Sequence, residues 1–287
     1  MIPPVLLMRL MRCYAAVAPG ERGGYRVSRL ARRALPRSRW AGRLKNAHGL
    51  DLDLDLGTYP DVAMAFGVYE LDTLRLLRRL LKPGMTFVDG GANLGYFTLH
   101  AARLGAGVEA FEPDPANRHR LQANLEANPG LSGCVSIHPV ALADTAGQAA
   151  LHHPEPTASL NHGSTSLLPE LVGGGAASDV RTCRLDAVVD AADIVKLDVE
   201  GAELRAISGA TSLLRSERPP ALIVEINQAA CRAAGHRPGD LFREVLAANA
   251  GYGCWWIGPR LRRIEDPAHL DAWPRQGNLL MRPLEAG

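Results

Sequence analysis

The sequence has no hydrophobic run long enough to cross a membrane. Its first apolar stretch, Val5–Met8, is too short for a span or for the core of a signal peptide, and no span occurs later. Cysteine is sparse: Cys13, Cys134, Cys183, Cys231 and Cys254 lie far apart with no C-x-x-C pair. That spacing excludes a zinc ribbon and a disulfide framework, and it fits a reducing, cytoplasmic setting. Lysine is rare, with Arg outnumbering it about ten to one, and Ala and Gly are abundant, a composition typical of a GC-rich bacterial genome. The most informative absence is the pattern G-x-G-x-x-G, which packs backbone against the pyrophosphate of a dinucleotide.

What is present is a chain of 287 residues, 47% hydrophobic and 22% charged, enough for one large domain with a decorated end or two small ones. The formal net charge of +2 hides a division. Residues 1–45 hold ten Arg, one Lys and a single acid, Glu21, so the remainder is acidic. An acidic body argues against nucleic acid as a partner. Residues 1–48 are expected to be a basic helical arm packed on the body, with contact to anionic lipid or to a partner as the other reading. Residues 49–287 are expected to form the functional domain.

Along that domain, Asp51–Leu56 alternates acid with Leu and predicts a strand with one wet face. The D-x-D-x-D spacing is also that of a calcium loop. However, the glycine arrives one place late, at Gly57, and the twelfth position is Val62 rather than Glu. Tyr69–Leu81 has helical spacing and ends at Lys82-Pro83-Gly84. Further strands are predicted at Val135–Leu142, Ile194–Val199 and Leu222–Ile226, with helices at Arg118–Ala127, Ala202–Leu214 and Leu241–Ala248. Tyr252–Ile257 and Asn278–Arg282 are expected to close the sheet as an antiparallel pair. Residues 145–180, with two prolines and Gly173-Gly174-Gly175, are predicted to be an irregular substrate loop or lid. The alternation of strands and helices predicts a three-layer α/β sandwich with a mainly parallel sheet.

The region that carries chemistry begins with a short strand ending on Asp89. The turn Gly90-Gly91-Ala92-Asn93-Leu94-Gly95 and a helical run Tyr96–Leu104 follow, and then a second strand, Val108–Phe111, ending on Glu112. Two successive parallel strands, each finishing on a carboxylate, make a nucleoside-binding half-fold. The glycines allow close backbone approach, and Glu112 can accept both ribose hydroxyls, with Pro113 turning the chain away. Asp89 ahead of the turn would repel pyrophosphate and favour a cationic ligand. S-adenosylmethionine, with a ribose, an ammonium group and a sulfonium but no phosphate, fits that pattern.

Later strands should deliver polar residues to the same end of the sheet: Asp144, Lys196 with Asp198, and Glu225 with Asn227. In Lys196-Leu-Asp-Val-Glu-Gly-Ala-Glu203, helix capping accounts for Glu203 and for Glu200. It does not account for a Lys and an Asp two residues apart in an apolar strand, where unpaired charge is costly to bury. His152, His153 and His162 lie in the irregular segment without a Cys or acid at ligand spacing, and they read as loop residues rather than as a metal site.

Gly67-Val-Tyr-Glu70, Phe87–Thr98, Ala110-Phe-Glu-Pro113, Ala141-Leu-Ala-Asp144 and Lys196–Glu203 with Gly209-Ala210 together resemble the FkbM family of methyltransferases, over residues 50 to 227. Family members often carry Ile where Gly90 stands. The resemblance implies a Rossmann-like class I methyltransferase fold and S-adenosylmethionine-dependent methylation of a hydroxyl on a sugar or natural-product scaffold. On this reading Asp89, Gly91, Asn93 and Gly95 line the methionine end of the cofactor, and Glu70 is a further cofactor-binding residue. Glu112 and Pro113 meet the ribose, and Ala141 to Asp144 the adenine. An alcohol must shed its proton to attack, so a base or a metal is needed. Asp198 is the expected base, with Lys196 beside it. Glu225 shares the work or joins Asp198 in holding a divalent ion, and the sequence leaves that choice open. Two other readings are a nicotinamide-dependent oxidoreductase and a non-catalytic S-adenosylmethionine-binding module. Neither the acceptor nor the oligomeric state is encoded legibly.

Overall fold

Apolar runs at Phe87–Val88, Val108–Phe111, Ile194–Leu197 and Leu222–Ile226 become neighbouring strands of one sheet. The computed structural model describes residues 41–56, 58–154, 165–173, 175–272 and 276–284. The elements in chain order begin with β1 (Ala41–Lys45), β2 (Asp51–Asp55), α1 (Tyr59–Ala65), α2 (Leu71–Leu80), β3 (Thr86–Gly90) and α3 (Tyr96–Arg103). Next come β4 (Gly107–Phe111), α4 (Pro115–Glu126), β5 (Val135–His138), β6 (Ala141–Leu142), β7 (Gly147–His152), α5 (Pro169–Val172) and β8 (Ala177–Cys183). The second half holds β9 (Ile194–Leu197), α6 (Glu203–Ser208), α7 (Thr211–Leu214), β10 (Ala221–Ile226), α8 (Gln228–Ala233) and α9 (Pro238–Ala248). It ends with β11 (Tyr252–Trp256), β12 (Arg262–Ile264), α10 (Ala268–Asp271) and β13 (Gly277–Pro283).

The main sheet has eight strands in the order β12-β11-β13-β10-β9-β3-β4-β5. From β10 to β5 all neighbours are parallel, while β13, β11 and β12 add in antiparallel fashion. One face packs under α1 to α4 around Phe87, Leu99 and Leu121, the other under α6, α7 and α9 around Val195, Ile207 and Leu241. The three-layer expectation and the antiparallel closing pair both hold. Strand order reverses between β3 and β9, and in such sheets the ligand crevice lies at the carboxyl ends on either side of that point.

The hairpin β1–β2 puts Leu52 and Leu54 in the core and leaves the acids outward, as the alternation predicts. The free edge of β2 is covered by two side chains, one from α4 and one from the turn that follows it. Asn124 Oδ1 accepts from Asp53 N at 2.6 Å while its Nδ2 donates to Leu94 O at 2.8 Å. Asn128 accepts from Asp51 N and donates to Asp51 O. Asn124 therefore ties the hairpin to the glycine turn, and Asn124→Ala would leave an amide and a carbonyl unpaired. A loss of about 2–4 kcal/mol is expected in denaturant unfolding, and an unchanged midpoint would remove Asn124 from the scaffold.

Several expectations need correction. Residues 41–45, assigned to the basic helical arm, form β1; residues 1–40 lie outside the described residues. Residues 145–180 are not wholly irregular, because β7 and β8 pair antiparallel and β6 joins β8 in a separate three-stranded sheet. Residues 155–164 and 174, with His162 among them, lie outside the described residues. The single strand expected at Val135–Leu142 divides into β5 and β6 at Pro139, which has no N–H to give a ladder. The helix expected at Ala202–Leu214 breaks at Gly209, where a Cβ would strike the carbonyl of Ala143. Among the described residues, no helix is long and apolar enough to cross a membrane.

Candidate active site

A cavity of about 300 Å³ opens at the carboxyl ends of β3, β4, β9 and β10. Its floor is the glycine turn. Gly91 N and Ala92 N both donate to Phe111 O at 3.0 Å, and Asp198 N donates to Gly90 O, which binds the turn to β4 and to the end of β9. Gly91 has φ +81°, and a Cβ there would overlap the carbonyl oxygen of Asp198. Only glycine meets both demands. Gly90 has ordinary backbone, and the space its side chain would take is filled by Leu142 and Leu197. Gly95 does not reach the cavity wall: at φ +90° it opens α3, and its missing side chain makes room for Leu121 and Leu99.

Glu112 is placed as expected and is engaged more fully than expected. It is 4% exposed. Its Oε2 accepts from Asn93 N at 2.7 Å and its Oε1 from Asp114 N at 2.8 Å. Burial pushes its pKa up to about 7 against the pull of those amides. Asn117 adds a third hydrogen bond, so most of the accepting capacity of Glu112 braces the turn and one site is left for a ligand. Pro113 and Ala141 also line the cavity, beside Phe111, Val140 and Leu142, an apolar slot suited to a planar base. Asp144 lies elsewhere. It is held at the surface by Arg205 Nε at 2.8 Å, and that hydrogen bond keeps its carboxyl below the usual range. It does not line the cavity.

The pH dependence of Glu112 has a definite sign. Its folded pKa of about 7 exceeds the ordinary 4.5, so the folded state holds the proton more tightly. Relative to Glu112→Gln, the wild type should lose stability as pH rises from about 4.5 to about 7, by about 3 kcal/mol in all. Parallel unfolding curves across that window for the two proteins would contradict the burial argument. His48 and His100, whose pKa values burial lowers, titrate alike in both and cancel in the difference.

Lys196 is 2% exposed, with Nζ donating to Asp198 Oδ2 at 2.7 Å and lying 4.5 Å from the centre of the Phe97 ring. Burial alone would lower its pKa, but the carboxylates of Asp198, Glu70 and Asp89 overcome that and raise it. An ammonium so held cannot act as a base. Asp89 is buried and accepts from Thr98 Oγ1 at 2.6 Å, and burial raises its pKa against the Lys196 charge. Glu70 is not in the wall but stands behind it, where its Oε2 accepts from Asn278 Nδ2 at 2.9 Å.

Asp198, Glu200 and Glu225 face the cavity with Tyr69. Gln276 Nε2 donates to Glu225 Oε1 at 2.7 Å, yet burial, followed by the charges of Asp198, Glu200 and Glu203, raises Glu225 well above the usual carboxylate range. Glu203 is the acid in the first turn of its helix, as the dipole reading expects, and its carboxylate accepts from Val199 N and Gly201 N of the preceding turn. Asn227 likewise caps α8. Among the described residues the non-glycine positions with positive φ are Glu70, Asn93 and Glu200, all at or behind this cavity. Backbone strain of that kind gathers at functional sites. Among the described residues, no group of three His, Cys, Asp or Glu is placed to hold a metal ion. His152 lies in β7, and His153 pairs with Asp114 and Ser178.

The structure thus brings together Asp89, Gly91, Asn93, Glu112, Pro113, Ala141, Lys196, Asp198 and Glu225, and leaves Glu70, Gly95 and Asp144 outside the wall. Sequence reading missed the opposite wall, where Tyr59, Asp61 and Met64 of α1 meet Arg120. Arg120 Nη2 donates to buried Asp61 Oδ2 at 2.6 Å. An acid followed by apolar residues in a short helix gives no local signal of that pairing.

Comparison with known proteins supplies the family. Residues 89–253 match the model of the methyltransferase FkbM domain. The chain belongs to that family. It is 30% identical over 188 residues to the hexuronic acid methyltransferase AglP of Haloferax volcanii, covering 62% of this chain and 69% of that one. It is 34% identical over 118 residues to a ribosomal protein L11 methyltransferase of Pelotomaculum thermopropionicum, covering 39% of this chain and 36% of the other. The methyltransferase sdnD of Sordaria araneosa is 31% identical over 153 residues, covering 42% of this chain and 59% of its own. The chain therefore spans well under two thirds of the last two. A solved methyltransferase FkbM from Methylobacillus flagellatus superposes with a TM-score of 0.45 at 18% identity, covering 76% of this chain and 54% of that one.

Proposed function

We propose that this FkbM-family chain is an S-adenosylmethionine-dependent O-methyltransferase that acts on a hydroxyl of a sugar or natural-product scaffold. The observation that carries the reading is the cavity at the strand-order reversal, with Glu112 on one side and Asp198 on the other. The residues fit the cofactor. Asn93 Oδ1 is buried without a hydrogen-bond partner beside Glu112, and the slot at Phe111 and Leu142 is apolar. The acids around the turn suit a ligand without phosphate. When bound, S-adenosylmethionine supplies a methyl group on a sulfonium, and the protein's task is to align an acceptor with it.

Within this reading Asp198 takes the acceptor's proton and Lys196 fixes the position of Asp198. Glu225 borders the same space as a second acceptor of hydrogen bonds. Residues 49–287 act as the catalytic domain, and Thr165 to Leu167, which line the cavity, belong to the segment that covers the substrate. A cytoplasmic setting is supported by Cys134, Cys183, Cys231 and Cys254, all free thiols. The test is calorimetry with S-adenosylhomocysteine and with NAD: binding of the first alone supports the reading, and binding of NAD alone would replace it with the oxidoreductase.

One relative is named for a hexuronic acid, but here Lys196 and Arg120 are already engaged by Asp198 and Asp61, and the acid Glu200 beside them makes an anionic acceptor unfavourable. One carboxylate held about 5 Å from another costs about 3 kcal/mol at an effective dielectric constant of about 20. Among matched glycosides, kcat/KM for a glucuronide should fall about 100-fold below that for a glucoside. A glucuronide that turns over as well as the glucoside would show that the acidic wall does not face the acceptor.

A further inference from the structure

The carboxyl end of the sheet carries a second feature beside the cavity. Because β13 is antiparallel to both β10 and β11, the end of β11 at Trp256 lies on the same side of the molecule as the end of β10 and the cavity. Gln276, which holds Glu225, opens β13, and Trp256 packs where Gly277 lacks a side chain. The chain then turns through Ile257-Gly-Pro-Arg-Leu261 into β12. This turn and the outer side of α2 enclose a shallow groove of about 180 Å³, lined by Arg75, Leu76, Arg79, Pro259 and Leu261.

Five arginines, Arg75, Arg79, Arg260, Arg262 and Arg263, belong to these two segments. They outnumber the carboxylates beside them. Asp72 is buried and 3.7 Å from Arg75, and Glu265 lies 3.3 Å from Arg263. At the tip stands Leu261, 44% exposed and one of few large exposed apolar side chains among the described residues. Cations on an edge strand guard against sheet-to-sheet pairing, and that explains Arg262 and Arg263 in β12. It does not explain Arg260, Arg75 and Arg79, which lie outside any strand, or an apolar tip set among them.

We propose that this hairpin and the outer side of α2 dock on an anionic lipid surface and turn the cavity mouth toward acceptors held there. The chemistry favours lipid over other polyanions. Arginines meet phosphate head groups while Leu261 and Pro259 enter the acyl boundary, and the acidic body of the chain disfavours nucleic acid. The docking does not depend on methyl transfer, so its test is separate from that of the activity.

The test is sedimentation of the full chain with vesicles of phosphatidylcholine alone and with roughly 30% phosphatidylglycerol added. Binding to the anionic vesicles only, weakened in about 0.5 M salt, is expected. Because residues 1–45 are also basic, the decisive comparison is the full-length double variant Arg260→Glu with Leu261→Ser. Both residues are exposed and outside the cavity, so its S-adenosylhomocysteine affinity should equal that of the wild type while vesicle affinity falls at least about tenfold. Wild-type vesicle binding by a variant that still binds S-adenosylhomocysteine would overturn the proposal. So would failure of the wild type to bind anionic vesicles at low salt, or capture by heparin with no binding to vesicles.

Discussion

Asp198→Asn should lower turnover with saturating S-adenosylmethionine by about 10²–10⁴ while leaving cofactor affinity nearly intact. The side chain is 18% exposed at the cavity, at the end of β9, and accepts from Lys196 Nζ. Asparagine keeps the shape and one acceptor oxygen. The ammonium keeps Glu70 and Asp89 as counter-charges, so the usual penalty for stranding a buried ion is softened. The turn is held by the backbone of residue 198, which the substitution does not touch. Turnover should be measured for both proteins with and without a chelator. Loss in the variant alone favours Asp198 as a metal-free base, and loss also in the chelated wild type favours a divalent ion. Turnover equal to wild type would end the claim that Asp198 takes part.

The second large effect is expected at Gly91. Gly91→Ala combines a left-handed backbone position with overlap on the Asp198 carbonyl, so β3 and β9 cannot both keep their ends in place. A loss of at least about 3 kcal/mol of stability is expected, together with loss of S-adenosylhomocysteine binding in the protein that remains folded. Gly107→Ala is the control. Nothing lies within 4 Å of a Cβ at that position, and its effect should stay within about 0.5 kcal/mol. If both variants melt with the wild type, the close approach of the two strands does not govern the site.

The parts legible in the sequence are those set by local physics. The glycine turn, the strands on either side and the carboxylates at their ends follow from short apolar runs and from φ values only glycine accepts. The pairing of β11 with β13 is also local in character, since both are plainly apolar. β7 was hidden because a single residue, Leu151, of its six is buried, and β8 because Val180 alternates with polar neighbours. What could not be read were contacts between distant stretches. Asn278 reaches Glu70 across 208 residues, and Arg205 draws Asp144 outward across 61. A strand-end acid looks the same in sequence whether a ligand or an arginine waits for it.

The cavity wall is a seam between two stretches of chain that lie apart in sequence. The turn, Glu112 and Asp198 fall within residues 89–253, which match the family, whereas Tyr59, Asp61, Met64 and Tyr69 precede them. On the proposed function, donor recognition and the opposite wall belong to separate segments that meet through Asp61 and Arg120. The upstream wall can then change without altering the half that would hold the methyl donor. A chimera exchanging residues 58–69 between relatives should therefore inherit its taste for acceptors from one parent and its grip on the donor from the other.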